Sequence, residues 1–347
     1  MSKPRVALVI KHWNRRDFLE QFLPSVVKSN YENLEIIVVD NASADDSIKF
    51  LKENYPSIRL IRHNYNYGYA GGYNRALSQV NADYYILLNN DIEVPEHWID
   101  PIIERMESDH RIAACQPKIL QFKQKDSFEY AGAGGGFIDR FGYVFCRGRI
   151  FESIEVDQGQ YNEAMPVFWA TGACLALRAD AFHEVHGFDE NFFAHMEEVD
   201  LCWRLQLAGY DIWVEPASHV FHVGGGTLSK IRPQKTYLNF KNSLVMLLKN
   251  LPLSIGIWLI PIRTILDFLS SLYFLMNGEP RHSWAIHRAH YEFFFRFRKW
   301  YRLRAYIKRK RAHQDLKGVY PGSIVYEHFI RRTTSFSELE HTQLLVK

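Results

Sequence analysis

Three carboxyl side chains crowd into four positions at Glu197, Glu198 and Asp200, at the head of an apolar helical pattern. A helix N-terminus favours the ionised form, so an acid placed there can act as a base at neutral pH. Val199, Leu201, Cys202 and Trp203 are apolar, so the turn is more than a solvated cap. Asp200 and Arg204 stand four apart and can pair structurally. A further acid, Asp91, follows Asn89 and Asn90 directly after the apolar run 84–88. An acid flanked by carboxamides at a strand end is an oxygen ligand for Mg²⁺ or Mn²⁺. Its bland alternative is a turn aspartate. His222, ahead of Gly224, Gly225, Gly226 and Thr227, reads as a ligand on a glycine loop or as a structural histidine.

Two more segments have the chemistry of a nucleotide site. Asp40 and Asn41 close the apolar run 36–39, where an acid can accept from a base or a ribose hydroxyl, or simply form a turn. The stretch from Asn66 through Gly68, Gly71 and Gly72 to Asn74 places glycines before a helix, where backbone can approach a phosphate closely. Residues 11–16, after the first strand, contain no glycine. That argues against a dinucleotide fold and against the glycine-rich loop of a nucleotidyltransferase.

These groups need elements to carry them. Residues 6–10, 36–39, 58–61 and 84–88 are short, unbroken apolar runs separated by helical periodicities at 18–27, 45–54 and 70–80. Strands of that kind alternating with helices predict an α/β fold: a mostly parallel sheet covered on both faces. The glycine-rich and aromatic region 111–170 reads as loops and short strands. Residues 174–177 read as a strand, 197–208 as a helix stopped by Gly209, and 212–214 as a short strand. The α/β body is expected to span 1–235.

From residue 236 the pattern is helical. Residues 250–262 are apolar but bracketed by Lys249 and Arg263 and interrupted by Pro252 and Pro261. Such a helix extends about 20 Å, short of the roughly 30 Å of a hydrocarbon core. Interfacial helices or a core-packing hairpin are therefore expected ahead of a spanning helix. Residues 281–311 hold eleven Lys or Arg against the single acid Glu292, while the rest of the chain carries a net charge of −7. A mildly acidic body with a basic, aromatic segment points to an anionic partner, lipid rather than nucleic acid. Residues 236–332 are thus expected as a membrane-associating helical extension, and 333–347 as a loose tail. Cys115, Cys146, Cys174 and Cys202 form no C-x-x-C pair and read as reduced core residues, and the N-terminus shows no export signal.

The ordered set resembles the family 2 glycosyltransferases with the GT-A fold, especially rhamnosyltransferase-like bacterial members. It consists of residues 6–14, Asp40 with Asn41 and Ser43, Asn66 to Asn74, Asn89 to Asp91, Thr171 with Gly172, Gly187 to Glu190 with Glu197 to Leu201, and His222. The resemblance covers about residues 4–235. It implies that Asp40 holds the nucleobase and that Asn41, Asn66, Gly68, Asn74, Asn90 and Thr171 line the nucleotide-sugar site. It implies that Asp91 ends a D-x-D-like element binding Mn²⁺ or Mg²⁺, with His222 completing the metal site. Glu198 aligns with the catalytic base. This chain departs there, with Glu for Asp, which leaves Glu197 and Glu198 both open, and Asn89 replaces the first acid of D-x-D. The implied activity is inverting transfer of one sugar, rhamnose by the family likeness, from a dTDP- or UDP-linked donor. The acceptor is a saccharide or lipid-linked saccharide in cell-surface polysaccharide synthesis, at the inner face of the membrane. An inactive sugar-nucleotide-binding scaffold is the alternative.

Overall fold

Alternation of strand and helix runs through the first quarter of the chain, as the apolar pattern predicts. The order is β1 (Val6–His12), α1 (Arg16–Val27), β2 (Leu34–Asp40), α2 (Ser47–Asn54), β3 (Arg59–Arg62), α3 (Gly68–Leu77) and β4 (Tyr84–Asn89). The computed structural model describes residues 3–224 and 232–340, so Gly225 to Thr227 and residues 341–347 lie outside it. β1 shows why both faces are covered. Ala7 and Val9 face a core built with α3, while Val6, Leu8 and Ile10 face a second core built with α1.

Next come β5 (Ile92–Glu93), α4 (Ile99–Ser108), β6 (Ile112–Gln121), β7 (Gly136–Asp139), β8 (Val144–Cys146), β9 (Arg149–Ile150), β10 (Ser153–Ile154) and β11 (Met165–Val167). Then follow β12 (Cys174–Arg178), α5 (Ala179–Glu184), α6 (Glu197–Leu207) and β13 (Asp211–His222). The main sheet runs β11-β13-β6-β12-β4-β1-β2-β3, with β5 also paired to β13. β3, β2, β1 and β4 are parallel, and so are β6 and β13, while β12 lies antiparallel between β4 and β6. Carboxyl ends of β1, β2, β4 and β13 therefore share one edge with the amino end of β12.

The region 111–170 departs from the expectation of loops and short strands. It opens with the ten-residue β6, deep in the main sheet. Its polar Gln116 and Lys118 are satisfied by distant partners: Gln116 accepts from the Thr171 amide, and Lys118 reaches Asp157 and Asn162. The short strand expected at 212–214 is the start of the twelve-residue β13, which continues past a register break between Glu215 and His219.

The helical layer comprises α7 (Pro233–Asn250), α8 (Leu253–Met276), α9 (Pro280–Phe295) and α10 (Phe297–Arg302). α8 is one continuous helix, not the two short stretches expected, because Arg263 and Asp267 pair with each other on its buried side. The chain then returns to the body through β14 (Val319–Tyr320), α11 (Ile324–Phe329) and α12 (Ser337–Glu340). β14 joins β10-β9-β8-β7 as the edge of a second sheet. The expectation of a loose tail fails over its described part: Phe336 and Leu339 are buried, with Phe336 packed on Phe137, Phe145 and Tyr161. The four cysteines are buried and free, as expected.

Candidate active site

Asp91 follows β4 and His222 ends β13, so the two meet only because the sheet brings those strand ends together. Their side chains are buried, with His222 Nε2 3.1 Å from Asp91 Oδ1. The other ring nitrogen, Nδ1, lies 3.3 Å from Glu129 Oε2. Burial alone would lower the histidine pKa, but the two carboxylates overcome it and raise it to about 10. A divalent cation fits the pair by distance. Two adjacent octahedral ligands at about 2.0–2.1 Å lie about 3 Å apart, which is the spacing found. Glu129 would then fix the ring from behind, the usual role of a carboxylate on a ligating histidine. Sequence reasoning missed Glu129, since nothing in its local pattern points to His222.

The carboxyl pair sits across the same edge. The chain approaches α6 through Phe193, His195 and Met196, which have φ of 60°, 68° and 70°. Left-handed backbone is costly for side chains of this kind, so the loop must be held from outside. Asn242 of α7 does this: its Nδ2 lies 3.0, 2.9 and 2.7 Å from the carbonyl oxygens of Phe192, Ala194 and His195. Phe193 O also accepts from the Tyr69 amide, and any Cβ at Gly68 would meet that oxygen at 2.4 Å. Asp200 is not available as a base. It receives Arg204 Nε, Lys249 Nζ and Asn250 Nδ2, each at 2.8 Å, and Lys249 also holds Asp189 at 2.7 Å. The expected Asp200–Arg204 pair is therefore one arm of a buried network.

Glu197 and Glu198 remain. Each has a buried Oε2 without a hydrogen-bond partner among the described residues. Burial, and then the neighbouring Glu198, push the Glu197 pKa well above the carboxylate range, and burial raises Glu198 to about 7. Lys11, at the end of β1, is lowered by burial to about 8 against the opposing pull of Glu197. Lys11 lies beside Asn89 in the β1–β4 register, which connects the carboxyl pair to the Asp91 side of the site.

The expected nucleotide-site residues divide. Asp40 is buried at the end of β2, with Oδ1 accepting from the Ser43 amide at 3.0 Å and Oδ2 4.0 Å from Arg62 Nε. Asn41 donates to Asn66 Oδ1 at 2.8 Å and to Gly68 O at 3.0 Å, and accepts from the Tyr67 amide. These three shape the loop wall between β2 and α3. Asn90 donates to His12 Nδ1 at 2.9 Å, so the opposite ring nitrogen donates to Ser47 Oγ at 2.8 Å, which bonds Asp45. Burial lowers His12 to about 4, which keeps its ring neutral. Thr171 turns the chain into β12 by accepting from the Ala173 amide, and Gly172 O receives the Tyr69 hydroxyl at 2.7 Å. Asn74 departs from the group. Both ends of its amide are engaged by Phe188, its Nδ2 donating to the carbonyl at 2.8 Å and its Oδ1 accepting from the amide at 2.9 Å.

Comparison with known proteins places this geometry. The model of the glycosyl transferase family 2 matches residues 7–185, just over half of the chain. An N-acetylglucosaminyl-diphospho-decaprenol L-rhamnosyltransferase of Mycobacterium tuberculosis is 29 % identical over 222 residues, covering 59 % of this chain and 71 % of the relative. Rhamnosyltransferase WbbL of Escherichia coli K12 is 27 % identical over 226 residues, covering 62 % and 83 %. Among solved structures, a mannosyltransferase of Pyrobaculum calidifontis, in complex with GDP-Man and Mn²⁺, superimposes with a TM-score of 0.50 at 14 % identity, over 88 % of this chain and 86 % of that one. GalNAc-T7 with UDP, GalNAc and Mn²⁺ gives a TM-score of 0.56 at 16 % identity, over 70 % and 47 %. The expected GT-A fold is thereby found, with the C-terminal helical region added to it.

Proposed function

This chain belongs to glycosyl transferase family 2 and is a glycosyltransferase, and from that premise we propose that it transfers a single sugar from a nucleotide diphosphate donor with inversion at the anomeric carbon. The observation that carries the reading is the pair at the head of α6, buried Glu197 and half-buried Glu198, each with a buried Oε2 that has no hydrogen-bond partner among the described residues. Burial raises both carboxyls, and Glu198, raised to about 7, can exchange a proton with an acceptor hydroxyl at neutral pH. Glu198 takes that proton as the hydroxyl oxygen attacks the anomeric carbon, and the bond to the nucleoside diphosphate breaks on the opposite face.

Asp91 and His222 would hold Mn²⁺ or Mg²⁺, and Glu129 would orient the His222 ring. When bound, the cation supplies positive charge against the departing diphosphate. Asp40, at the end of β2, would accept from the donor's base or ribose, and Asn41, bonded to Asn66 and Gly68, holds the loop ahead of α3. The names of the relatives support rhamnose as the sugar and a lipid-linked saccharide as the acceptor, to which the proposal adds a dTDP- or UDP-linked donor and a place in cell-surface polysaccharide synthesis. The basic, aromatic surface of the helical layer supports a peripheral position on an anionic inner membrane. The test is transfer from dTDP-rhamnose and UDP-sugars with Mn²⁺. Glu198→Gln should bind donor normally and lose about a hundredfold or more in transfer rate. A folded Glu198→Gln enzyme that retains its rate would overturn the assignment.

A further inference from the structure

α8 is built inside out for a helix facing water. Its only charged residues, Arg263 and Asp267, are turned into the protein. Arg263 Nε donates to Asp267 Oδ1 at 2.9 Å, and its Nη1 reaches the carbonyls of Phe141 and Gly142. Asp267 also meets His290 Nε2 at 3.1 Å and the Tyr143 hydroxyl at 3.3 Å. The outward side carries Ile257 at 68 % exposure, Trp258 at 75 %, Ile265 at 62 % and Met276 at 87 %, with Leu269 and Leu272 between them. α9 lies alongside and adds exposed Trp284, Tyr291 and Phe295, interleaved with exposed Arg281 and Arg288. Continuous apolar surface of this extent is far more than a water-facing helix normally shows.

We propose that this face is seated in the interfacial layer of an anionic lipid bilayer, with α8 lying along the membrane plane. The inference rests on the membrane-peripheral reading above and moves the anchor from the basic segment to α8. Charge complementarity favours lipid. The cations beside the apolar face, Arg281, Arg288, Arg296, Arg298, Lys299 and Arg302, are exposed. The later cations of the same segment are spent on the body: Arg304 and Arg309 on carbonyls at the end of α7, Lys308 and Lys310 on Glu184, and Arg311 on Asp211. Aromatic rings with arginines at the border of an apolar band match the chemistry of a headgroup boundary. A spanning orientation would tear Arg263 and Asp267 from Phe141, Gly142, Tyr143 and His290 and place them in hydrocarbon.

The test uses the full chain and phosphatidylcholine vesicles containing phosphatidylglycerol. Wild-type protein should co-sediment with them, and shallow-brominated lipids should quench its tryptophan emission more than deep-brominated ones. Trp258→Phe combined with Trp284→Phe should remove most of that quenching. Ile257→Ser with Leu269→Ser should weaken binding about tenfold or more and leave transfer to a water-soluble acceptor unchanged. If wild type binds and the double variant binds equally, the role of α8 falls while the membrane-peripheral reading stands. If wild type does not bind, both fall. Stronger quenching by deep bromines, with resistance to carbonate extraction, would replace the in-plane seating with a spanning one. A dimer that the double variant dissociates, without vesicle binding, would assign the face to a second copy and overturn the proposal.

Discussion

Replacing Asn242 by alanine tests whether the helical layer sets the geometry of the carboxyl pair. Its amide has two N–H bonds for three carbonyls, at 3.0, 2.9 and 2.7 Å, so one is shared. Phe192 O keeps the Ala194 amide, so two buried carbonyls are left unpaired, at a cost of about 2–6 kcal/mol at about 1–3 kcal/mol each. The loop it holds has three left-handed residues, Phe193, His195 and Met196. Relaxing them returns about 1–2 kcal/mol apiece. Those opposing amounts are similar, so the loop is expected to relax rather than the protein to unfold. Urea unfolding of Asn242→Ala should therefore show a loss of no more than about 2–3 kcal/mol. Transfer should lose about a hundredfold in kcat, the scale of an ångström-sized misplacement, with donor KM within a few-fold of wild type. Asn242→Asp, of the same shape but facing the carbonyls with negative charge, should be worse than alanine on both measures. If both variants keep wild-type kcat, Asn242 does not position Glu197 and Glu198, and the coupling of α7 to the site is wrong.

Three further outcomes follow from the same structure. If Glu198 is the base, kcat should rise with pH through about 7, its raised value; a profile flat across that range would remove it from the role. The same shift works against stability: the folded pKa lies above the ordinary 4.5, so the stabilisation is complete below 4.5 and is lost as pH rises through about 7. Urea midpoints should accordingly fall over that window in wild type and fall less in Glu198→Gln. Glu129→Gln should weaken Mn²⁺ binding, read by electron paramagnetic resonance of the free ion, by about tenfold or more, and an unchanged affinity would reduce Glu129 to a structural residue. Phe336→Ala should destabilise the fold by about 3–5 kcal/mol, the usual cost of emptying a buried phenylalanine site, whereas a loose tail would register nothing in a melting curve.

The parts of this molecule legible in its sequence are those whose signal is local. β1, β2 and β4 announce themselves because a strand buried on both faces needs unbroken apolar residues. Asp91 and His222 stand out through the strand ends they occupy and the family order around them, and the sheet brings the two side chains together. β6 was hidden because Gln116, Pro117 and Lys118 look like a loop. Their polarity is neutralised by Thr171, Asp157 and Asn162, 39 or more residues away. Glu129 was hidden for the same reason, as it lies in the connection between β6 and β7 while its partner His222 ends the distant β13. α8 looked broken because two charges and a proline interrupt it, and only a structure tells that the charges face inward. Asn242 and Lys249 carry no motif at all, yet they grip the approach to α6 and Asp200.

The pairing of β14 with β7, and the seating of Phe336 among Phe137, Phe145 and Tyr161, change what kind of object the helical layer is. It is a loop-out of the catalytic body, stitched at both ends, and not an appendage that a stop codon could trim. Cutting the chain near residue 281 would strip an edge strand and a core ring along with the basic surface. Loss of lipid binding in such a fragment would then report unravelling. Grafting a short linker between the end of α7 and the approach to β14 is the deletion that respects this weave.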